Sequence, residues 1–314
     1  MSSEDQSFSL DPAGPEHNVK RIDEITKGSV AAGMTFPDGT PVFSFVEFSI
    51  TDLCNRVCVF CPRSDPSVYP NNNEEMSLDL YEKILAELSS IGWQGLLSFS
   101  GYGEPLLHTR LIDFVRVTKE HLPTSILEMV TNGDRLTAET CRTLFDSGMD
   151  CVKVSLYDGP HQIEPFETMR NELELSEDQF IIRHRFLGPE DYYGLILTNR
   201  AGTVDFDALE MSPLAEPKNQ PCYFPFYKVM IDYDGRVLLC SHDWNKKLCA
   251  GDLNEVSLEE AWTGRVMMKV RQKLAGRSRS FSPCSACDVD GTMNGGQAFE
   301  QWKRQVASTE GKDV

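Results

Sequence analysis

Three of the ten cysteines in this 314-residue chain crowd into eight residues, Cys54, Cys58 and Cys61, which we call the first cysteine cluster. Three thiolates at this spacing suit three corners of a cubane [4Fe–4S] cluster, which takes four cysteines when the protein holds every iron. The fourth iron would be open to an exogenous ligand, so that the cluster could act as a catalyst. A zinc site or buried thiols are the alternatives, although zinc sites usually combine two C-x2-C pairs.

The other cysteines fall into two groups. Cys141 and Cys151 stand alone among apolar neighbours and are predicted to be buried and inert, and five more lie in the last third of the chain. The N-terminus does not resemble a secretory signal, and no apolar run approaches the length of a membrane span. We therefore expect a cytoplasmic protein without a membrane segment, in a reducing compartment where clustered cysteines bind metal.

Strands and helices alternate along the chain from residue 45. Period-two patterns predict strands and spacings of three to four residues predict helices. The strands are expected at 45–50, 96–100, 126–132, 151–157 and 179–186, and helices at 76–92, 111–122 and 138–148. Only five or six such units fit before residue 200, which predicts an α/β fold, a partial (β/α)6 TIM-like barrel. The first cysteine cluster follows the first strand, at the end of the sheet that carries active sites in such folds.

The pattern changes after residue 213. Two alternating runs flank Asp234-Gly235, a strong hairpin signal, and residues 256–276 are typical of a helix that opens with a capping box at Ser257 and Glu260. We expect a smaller C-terminal α+β domain that begins near residue 215. The predicted parts are an N-terminal arm and lead-in at 1–43, the partial barrel at 44–214, the smaller domain at 215–296 and a C-terminal helix or tail at 297–314.

C-x3-C-x2-C after the first strand, with Phe60 before the last cysteine, resembles the radical S-adenosylmethionine (SAM) superfamily. In that family the open iron binds the amino and carboxylate groups of SAM, and one electron from the cluster cleaves SAM to a 5′-deoxyadenosyl radical. Residues 100–105 resemble the family's Gly-Gly-Glu motif, 131–133 its Thr-Asn-Gly stretch and 155–160 its Ser-Leu-Asp-Gly-Pro stretch.

The resemblance implies a set of contacts to SAM. Ser155 would touch the ribose and Arg183 would pair with the carboxylate, although a surface salt bridge is an equal alternative for Arg183. The residues implied in SAM binding are Phe60, Gly103, Glu104, Asn132, Ser155 and Arg183.

Cys222 and Cys240, separated by Gly235 and followed by Cys284-Ser-Ala-Cys287, resemble the shortened SPASM domain called Twitch. The resemblance implies that these four cysteines, which we call the auxiliary cysteine cluster, hold one auxiliary [4Fe–4S] cluster with no open iron. Zinc bound by the same four thiolates is the alternative, because a tetrahedral site of four sulfurs suits either metal.

Cys249 is left over, in a polar stretch between the auxiliary ligands and near Lys246 and Lys247, which favour thiolate character. Its alternatives are a cluster ligand in place of another cysteine and an ordinary loop thiol. One auxiliary cluster with a spare cysteine resembles the radical SAM enzymes of aminoglycoside antibiotic biosynthesis. The resemblance implies an epimerase that inverts a sugar-ring carbon, through hydrogen abstraction by the 5′-deoxyadenosyl radical and hydrogen return from Cys249.

Three other functions compete with this interpretation. A dehydrogenase of an amino-cyclitol or aminoglycoside intermediate would share the fold and the clusters but would need no thiol donor. A maturase of peptides or sulfatases usually has a longer auxiliary domain, and a simple electron carrier would not bind SAM. For the enzymes, the resemblance implies an electron donor such as flavodoxin or ferredoxin.

The chain is strongly acidic, with 30 basic and 48 acidic residues and a net charge of −18. Such a charge argues against a nucleic acid as partner, because binding to phosphates needs a basic surface. An aminoglycoside is a polycation, and an acidic cleft would attract it. We therefore expect a small-molecule polycationic aminoglycoside as the substrate.

Overall fold

The computed structural model describes residues 15–31, 33–186, 188, 195–206 and 211–309. In this part of the chain one eight-stranded sheet has the order β5-β4-β3-β2-β1-β6-β7-β8. The strands are β1 (Phe45–Phe48), β2 (Leu96–Phe99), β3 (Ile126–Thr131), β4 (Cys151–Leu156), β5 (Phe180–His184), β6 (Lys228–Ile231), β7 (Arg236–Leu238) and β8 (Cys249–Asp252). Strands β1 to β6 are parallel, and β7 pairs antiparallel with both β6 and β8.

Helices connect the parallel strands, and of four more, one lies directly before and three lie after the last three strands of the described chain. They are α1 (Pro15–Ala31), α2 (Leu78–Ser90), α3 (Leu111–His121), α4 (Ala138–Asp146), α5 (Ile163–Glu172), α6 (Phe224–Tyr227), α7 (Leu258–Thr263), α8 (Arg265–Ala275) and α9 (Gly296–Thr309). Within the described ranges, no helix combines the length and the apolar character that a membrane crossing requires.

The main core lies between the sheet and helices α2 to α4. Because side chains alternate between the two faces of a strand, Val46 and Phe48 of β1 both point into this core. The Phe48 ring packs against Tyr81 of α2 with centroids 5.1 Å apart, and Tyr81 stacks on Phe114 of α3 at 4.3 Å. The outer face of the sheet is therefore covered in the way that parallel βα units require.

The sheet is open, because its edge strands β5 and β8 are far apart in the strand order. This confirms the expectation of an α/β fold with a partial barrel. The sixth parallel strand is β6, from the predicted hairpin at Asp234-Gly235, and it pairs with β1 instead of following β5. The hairpin of the smaller domain thus belongs to the same sheet as the barrel, and the boundary at residues 214 and 215 stays a prediction.

The structure differs from the predicted elements in five places, one of which is the short helix α6, which was not predicted. Helix α1 occupies part of the stretch expected to be a loose arm, and α5 and β8 were not predicted. The helix expected at 256–276 begins with the predicted capping box but is divided into α7 and α8 at Gly264, whose ψ of 164° is extended. Glycine is the ordinary residue least able to continue a helix apart from proline, which explains the break.

The inner face of the parallel sheet is charged. Glu47 of β1 pairs with Lys228 of β6 at 2.6 Å, and Glu128 of β3 pairs with Lys153 of β4 at 2.9 Å and with Arg21 of α1. Burial raises the pKa of Glu128, but the charges of Lys153 and Arg21 outweigh burial and hold that pKa at about 2. Helix α1 is thus joined to the sheet by a buried ion pair.

Removing one partner of this group should destabilise the fold. Glu128→Gln leaves Lys153 and Arg21 without their carboxylate, and a broken buried ion pair typically costs about 3–5 kcal/mol. Because the pKa of Glu128 is lower in the folded than in the unfolded chain, its stabilisation is present above about pH 4 and is lost toward pH 2. Urea unfolding at pH 7 and at pH 3 measures both effects. Glu120→Gln on the exposed side of α3 is the control, and an equal loss in both variants would contradict the assignment.

Candidate active site and auxiliary cysteine cluster

The loop that carries the first cysteine cluster leaves the C-terminal end of β1 and is held by Arg63. This side chain is buried, and its guanidinium donates to the carbonyl oxygen of Tyr102 at 2.8 Å and to that of Asp52. Asn71 brackets the other end of the loop, where it accepts from the Cys54 N–H at 3.1 Å and donates to the Cys54 carbonyl oxygen at 3.2 Å. The positions of the cysteines therefore depend on two polar side chains outside the motif.

Gly103 allows the loop after β2 to lie directly against the loop after β1. A Cβ atom at Gly103 would lie only 2.0 Å from the carbonyl oxygen of Thr51. The next residue, Glu104, donates its N–H to the carbonyl oxygen of Leu53 at 2.6 Å. Only glycine permits this approach of two backbones, immediately before Cys54.

Glu104 joins the second loop to the third. Its buried carboxylate accepts from the Thr131 hydroxyl at 2.6 Å and from the N–H groups of Asn132 and Leu106 at 2.8 and 3.1 Å. Burial raises the pKa of Glu104, and the hydrogen bonds from Asn132, Thr131 and Leu106 oppose that rise. The carboxylate thus fixes the end of β3 beside the cluster loop.

Arg56 closes the cluster loop over the ends of β3 and β4. Its guanidinium donates to Asp134 at 2.7 Å and to Asp158 at 2.8 Å, in each case with a second bond alongside. Next to it, Asn132 donates to the side-chain oxygen of Asn55 at 2.9 Å, and its Nδ2 lies 4.0 Å from Cys54 Sγ. Two bidentate pairs hold the loop in one position more strongly than isolated ion pairs would.

These loops enclose a cavity at the mouth of the partial barrel. It brings together the first cysteine cluster with Phe60, Gly103, Glu104 and Asn132 of the predicted SAM contacts. The remaining described residues that line it are Arg56, Arg63, Ser100, Gly101, Tyr102, Val130, Thr131, Tyr157, Arg200 and Trp244. Sequence reasoning missed the three arginines and Trp244. The available signal for Arg56 was its place inside the cysteine motif, and that for Arg63 was its place two residues after Cys61.

Ser155 and Arg183 are placed differently from the other predicted SAM contacts. Arg183 donates to the Ser155 hydroxyl at 2.7 Å, and neither residue is among those that line the cavity. Phe60 does line it and packs against Tyr157, with ring centroids 6.0 Å apart. The roles of Ser155 at the ribose and Arg183 at the carboxylate stay predictions.

Both sets of cysteines converge. Burial raises the pKa of Cys58 to about 12, and the charges of Cys61 and Cys54 add to it. In the auxiliary cysteine cluster burial raises the pKa of Cys240 well above its usual value, and the charges of Cys284, Cys287 and Cys222 raise it further. The thiols therefore repel one another as thiolates, and positive iron would stabilise them together.

The donor set of each cysteine cluster fits an iron–sulfur cluster. Thiolates are the usual ligands of such clusters, and in a cubane each cysteine binds a different iron, so that its thiolates stand farther apart than around zinc. Arg200 also lines the cavity, and its buried Nε has no hydrogen-bond partner among the described residues.

Tyr102 and Trp244 connect the two cysteine clusters. Tyr102 follows β2, and its hydroxyl donates to the carbonyl oxygens of Cys240 and Asp243 at 3.3 and 3.1 Å. Its ring packs on Trp244 with centroids 4.5 Å apart, and both residues line the cavity beside Cys61. The segment after Cys240 therefore forms one wall of the candidate active site.

Cys249 lies away from this cavity. It begins the edge strand β8, is exposed, and donates its thiol hydrogen to the Gly251 carbonyl oxygen at 3.3 Å. Partial burial raises the pKa of the Cys249 thiol. The charge of Arg236 opposes this rise, and the charges of Asp234 and Asp252 add to it. Cys141 and Cys151 are buried as expected.

Comparison with known proteins identifies the family. The Radical SAM superfamily model matches residues 48–171, and the model of the SPASM iron–sulfur cluster-binding domain matches residues 222–288. An S-adenosyl-L-methionine-dependent 2-deoxy-scyllo-inosamine dehydrogenase of Niallia circulans is 30% identical over 248 residues, which are 79% of this chain and 93% of that protein. This chain belongs to the radical SAM superfamily. It is a SAM-consuming enzyme with a SAM-binding [4Fe–4S] cluster and an auxiliary [4Fe–4S] cluster.

Two further similarities extend the comparison. The crystal structure of BtrN in complex with AdoMet and 2-DOIA has a TM-score of 0.68 and 28% identity, and the match covers 82% of this chain and 98% of that one. A tungsten-containing aldehyde ferredoxin oxidoreductase cofactor-modifying protein of Pyrococcus furiosus is 31% identical over 112 residues, 36% of this chain and 30% of that protein. The dehydrogenase and BtrN are therefore similar to this chain over nearly their whole lengths.

The prediction of an epimerase, of the kind that converts neomycin C to neomycin B, is wrong. The relative that aligns with most of this chain is a dehydrogenase. The prediction depended on Cys249 as a hydrogen donor, and Cys249 was assigned because it was left over after the cluster ligands were counted. Its position on an exposed edge strand, apart from the residues that line the cavity, removes the physical basis for that role.

The two cysteine clusters should hold iron independently. Replacing the first cysteine cluster by alanines should lose about four irons and SAM binding, and replacing the auxiliary cysteine cluster should also lose about four. Iron and sulfide analysis after anaerobic reconstitution measures both. Cys249→Ala is the control and should keep about eight irons; a loss of iron in this variant would mean that Cys249 is a cluster ligand.

Proposed function

We propose that this chain is a radical SAM dehydrogenase that oxidises a hydroxyl-bearing carbon of an amino-cyclitol to a ketone. The observation that carries the proposal is the 30% identity to a 2-deoxy-scyllo-inosamine dehydrogenase over 93% of its length. The similarity to BtrN with AdoMet and 2-DOIA supports the same class of substrate.

The reaction removes a hydrogen atom from carbon, a proton from the hydroxyl group and one further electron. When bound, SAM and its cluster supply the hydrogen-atom abstraction, and the auxiliary cluster supplies an electron acceptor. The chain itself must place the substrate between them, exclude water and provide a group that takes the hydroxyl proton. Tyr102 and Trp244 line the cavity, and Tyr102 bonds to the Cys240 carbonyl oxygen. This position between the clusters suits them to place the substrate and to exclude water.

Ser100 and Glu47 are the proposed route for the proton. Ser100 lines the cavity, and its hydroxyl donates to Glu47 Oε1 at 2.8 Å, while Lys228 Nζ lies 2.6 Å from Glu47 Oε2. A hydroxyl group can accept one proton while it passes on its own, so Ser100 can carry the substrate's proton to the carboxylate. Lys228 then holds Glu47 in place as the acceptor.

The charges around the cavity support a substrate with few amines. Among the described residues that line it, Arg56, Arg63 and Arg200 are basic and Glu104 is the acidic one; Arg56 is bound by Asp134 and Asp158, so Arg63 and Arg200 supply the positive charge. This lining does not support the acidic cleft that a polycationic aminoglycoside would favour. Basic side chains suit the SAM carboxylate and the anionic cluster, and a cyclitol with a single amine meets less repulsion here than a polycation.

The proposal is tested with the reduced, reconstituted enzyme and 2-deoxy-scyllo-inosamine in deuterated water. We expect a product lighter by two hydrogens, one 5′-deoxyadenosine per ketone and no carbon-bound deuterium from the solvent, measured by mass spectrometry. A neomycin-type aminoglycoside in a parallel reaction should give no product. A product with the oxidation state of the substrate and one solvent deuterium would overturn the proposal. So would an enzyme that oxidises other alcohols but no amino-cyclitol.

Ser100→Ala should separate SAM cleavage from substrate oxidation. Without the hydroxyl the proton has no route to Glu47, and ketone formation should fall about 100-fold, the usual contribution of a positioned proton acceptor. Formation of 5′-deoxyadenosine should continue, so that its ratio to ketone rises. Ser98→Ala is the matched control, because Ser98 bonds to Ser100 and Glu128 at 3.2 and 3.1 Å but does not line the cavity. Equal loss in both variants would contradict the route.

A further inference from the structure

Arg279 lies beside the auxiliary cysteine cluster, with only 1% of its surface exposed. All of its hydrogen bonds go to backbone carbonyl oxygens. Nε donates to Gln220 at 3.2 Å, Nη1 to Val289 at 2.6 Å, and Nη2 to Pro221 and Asp290 at 2.7 and 2.6 Å. The guanidinium is thus bound as a cation by dipoles, and in the described part of the chain none of these partners is a carboxylate.

The acceptors belong to the two segments that carry auxiliary ligands. Gln220 and Pro221 directly precede Cys222, and Val289 and Asp290 lie two and three residues after Cys287. One planar group therefore ties together two pieces of chain that are more than sixty residues apart in sequence. Arg279 fixes the distance between the ligands on the two segments.

The Arg279 charge is also close to the sulfur atoms. A Cβ atom at Gly291, where φ is +74°, would lie 2.5 Å from Cys222 Sγ and 3.1 Å from Arg279 Nη2, so that the sulfur and the guanidinium approach each other across this glycine. The cation therefore lies where it stabilises negative charge on the Cys222 sulfur and on a cluster bound to it.

We propose that Arg279 is a positioning residue that raises the reduction potential of the auxiliary cluster and so makes it an electron acceptor. Reduction adds one negative charge to the cluster, and a buried cation beside it stabilises that charge, because the low dielectric inside the protein screens it little. Net charge and hydrogen bonding around the sulfurs are known determinants of cluster potential. The function as an acceptor rests on the proposed dehydrogenase, whereas the potential itself does not.

A second buried arginine provides the matched control. Arg271 is 0% exposed, donates to the carbonyl oxygens of Pro225 and Trp262 at 2.8 and 2.7 Å, and lies between the rings of Trp262 and Trp302, 4.0 and 3.8 Å from their centroids. Like Arg279 it is buried and donates to backbone carbonyl oxygens, but its acceptors are not the ones next to the auxiliary cysteines.

The test is a reductive titration of the reconstituted holoenzyme followed by EPR, without substrate. Adding SAM identifies the cluster with the open iron, so that the two midpoint potentials can be assigned. Arg279→Gln should shift the auxiliary midpoint to a more negative potential and leave that of the SAM-binding cluster unchanged. Arg279→Lys, which keeps the charge, should stay close to the wild type, and Arg271→Gln should lower the melting temperature without moving either midpoint. An unshifted auxiliary midpoint in Arg279→Gln would overturn the proposal.

Asp290→Asn keeps the test decisive if Arg279→Gln fails to hold its cluster. The Asp290 carbonyl oxygen accepts from Arg279 while its carboxylate accepts from the Thr292 N–H, so this variant keeps all four hydrogen bonds of Arg279 and removes a negative charge from the same segment. Its auxiliary midpoint should move to a more positive potential, and no movement would overturn the electrostatic role. Because no substrate is present, a failure here is distinct from a failure of the dehydrogenase assay.

Discussion

Parallel pairing between β1 and β6 determines where both cysteine clusters lie. Phe45 is in register with Lys228 and Phe48 with Ile231, and the ladder continues where the Ser49 N–H donates to the Ile231 carbonyl oxygen at 2.9 Å. The loop of the first cysteine cluster leaves β1 at this edge, and the hairpin that leads to the auxiliary ligands leaves β6 beside it. Two segments that are far apart in sequence therefore lie at the same end of the sheet.

Charge is distributed unevenly in this acidic protein. The net charge of −18 belongs to the chain as a whole, whereas the cavity and the auxiliary cysteine cluster are served by arginines such as Arg56, Arg200 and Arg279. Thiolate-bound clusters are anionic, and nearby cations offset their mutual repulsion. Below the cavity, the pairs of Glu47 with Lys228 and of Glu128 with Lys153 make the inner face of the sheet polar, and each of these four charges has an opposite charge beside it.

Most of the barrel and the motif-bearing loops could be predicted from the sequence. Periodicity depends on neighbouring residues alone, so the strands at 96–100 and 151–157 were placed within one residue. Asp234-Gly235 marked the hairpin for the same reason, since Gly235 takes the φ of +91° that its turn needs. Gly103 and Glu104 were recognised as part of a motif. The close contact with Thr51 that explains why residue 103 is glycine was not predicted.

Local features follow from neighbouring residues: the spacing of the cysteines, the alternation of strands and helices, and the turn residues. Which of these elements come into contact depends on the folded chain, because such contacts join residues far apart in sequence and leave no local pattern. The place of β6 beside β1, the Arg56 clamp and the burial of Arg279 are of this kind. Cys249 shows the converse: its chemistry could be read from its type, but its distance from the cavity follows from the pairing of β8 with β7.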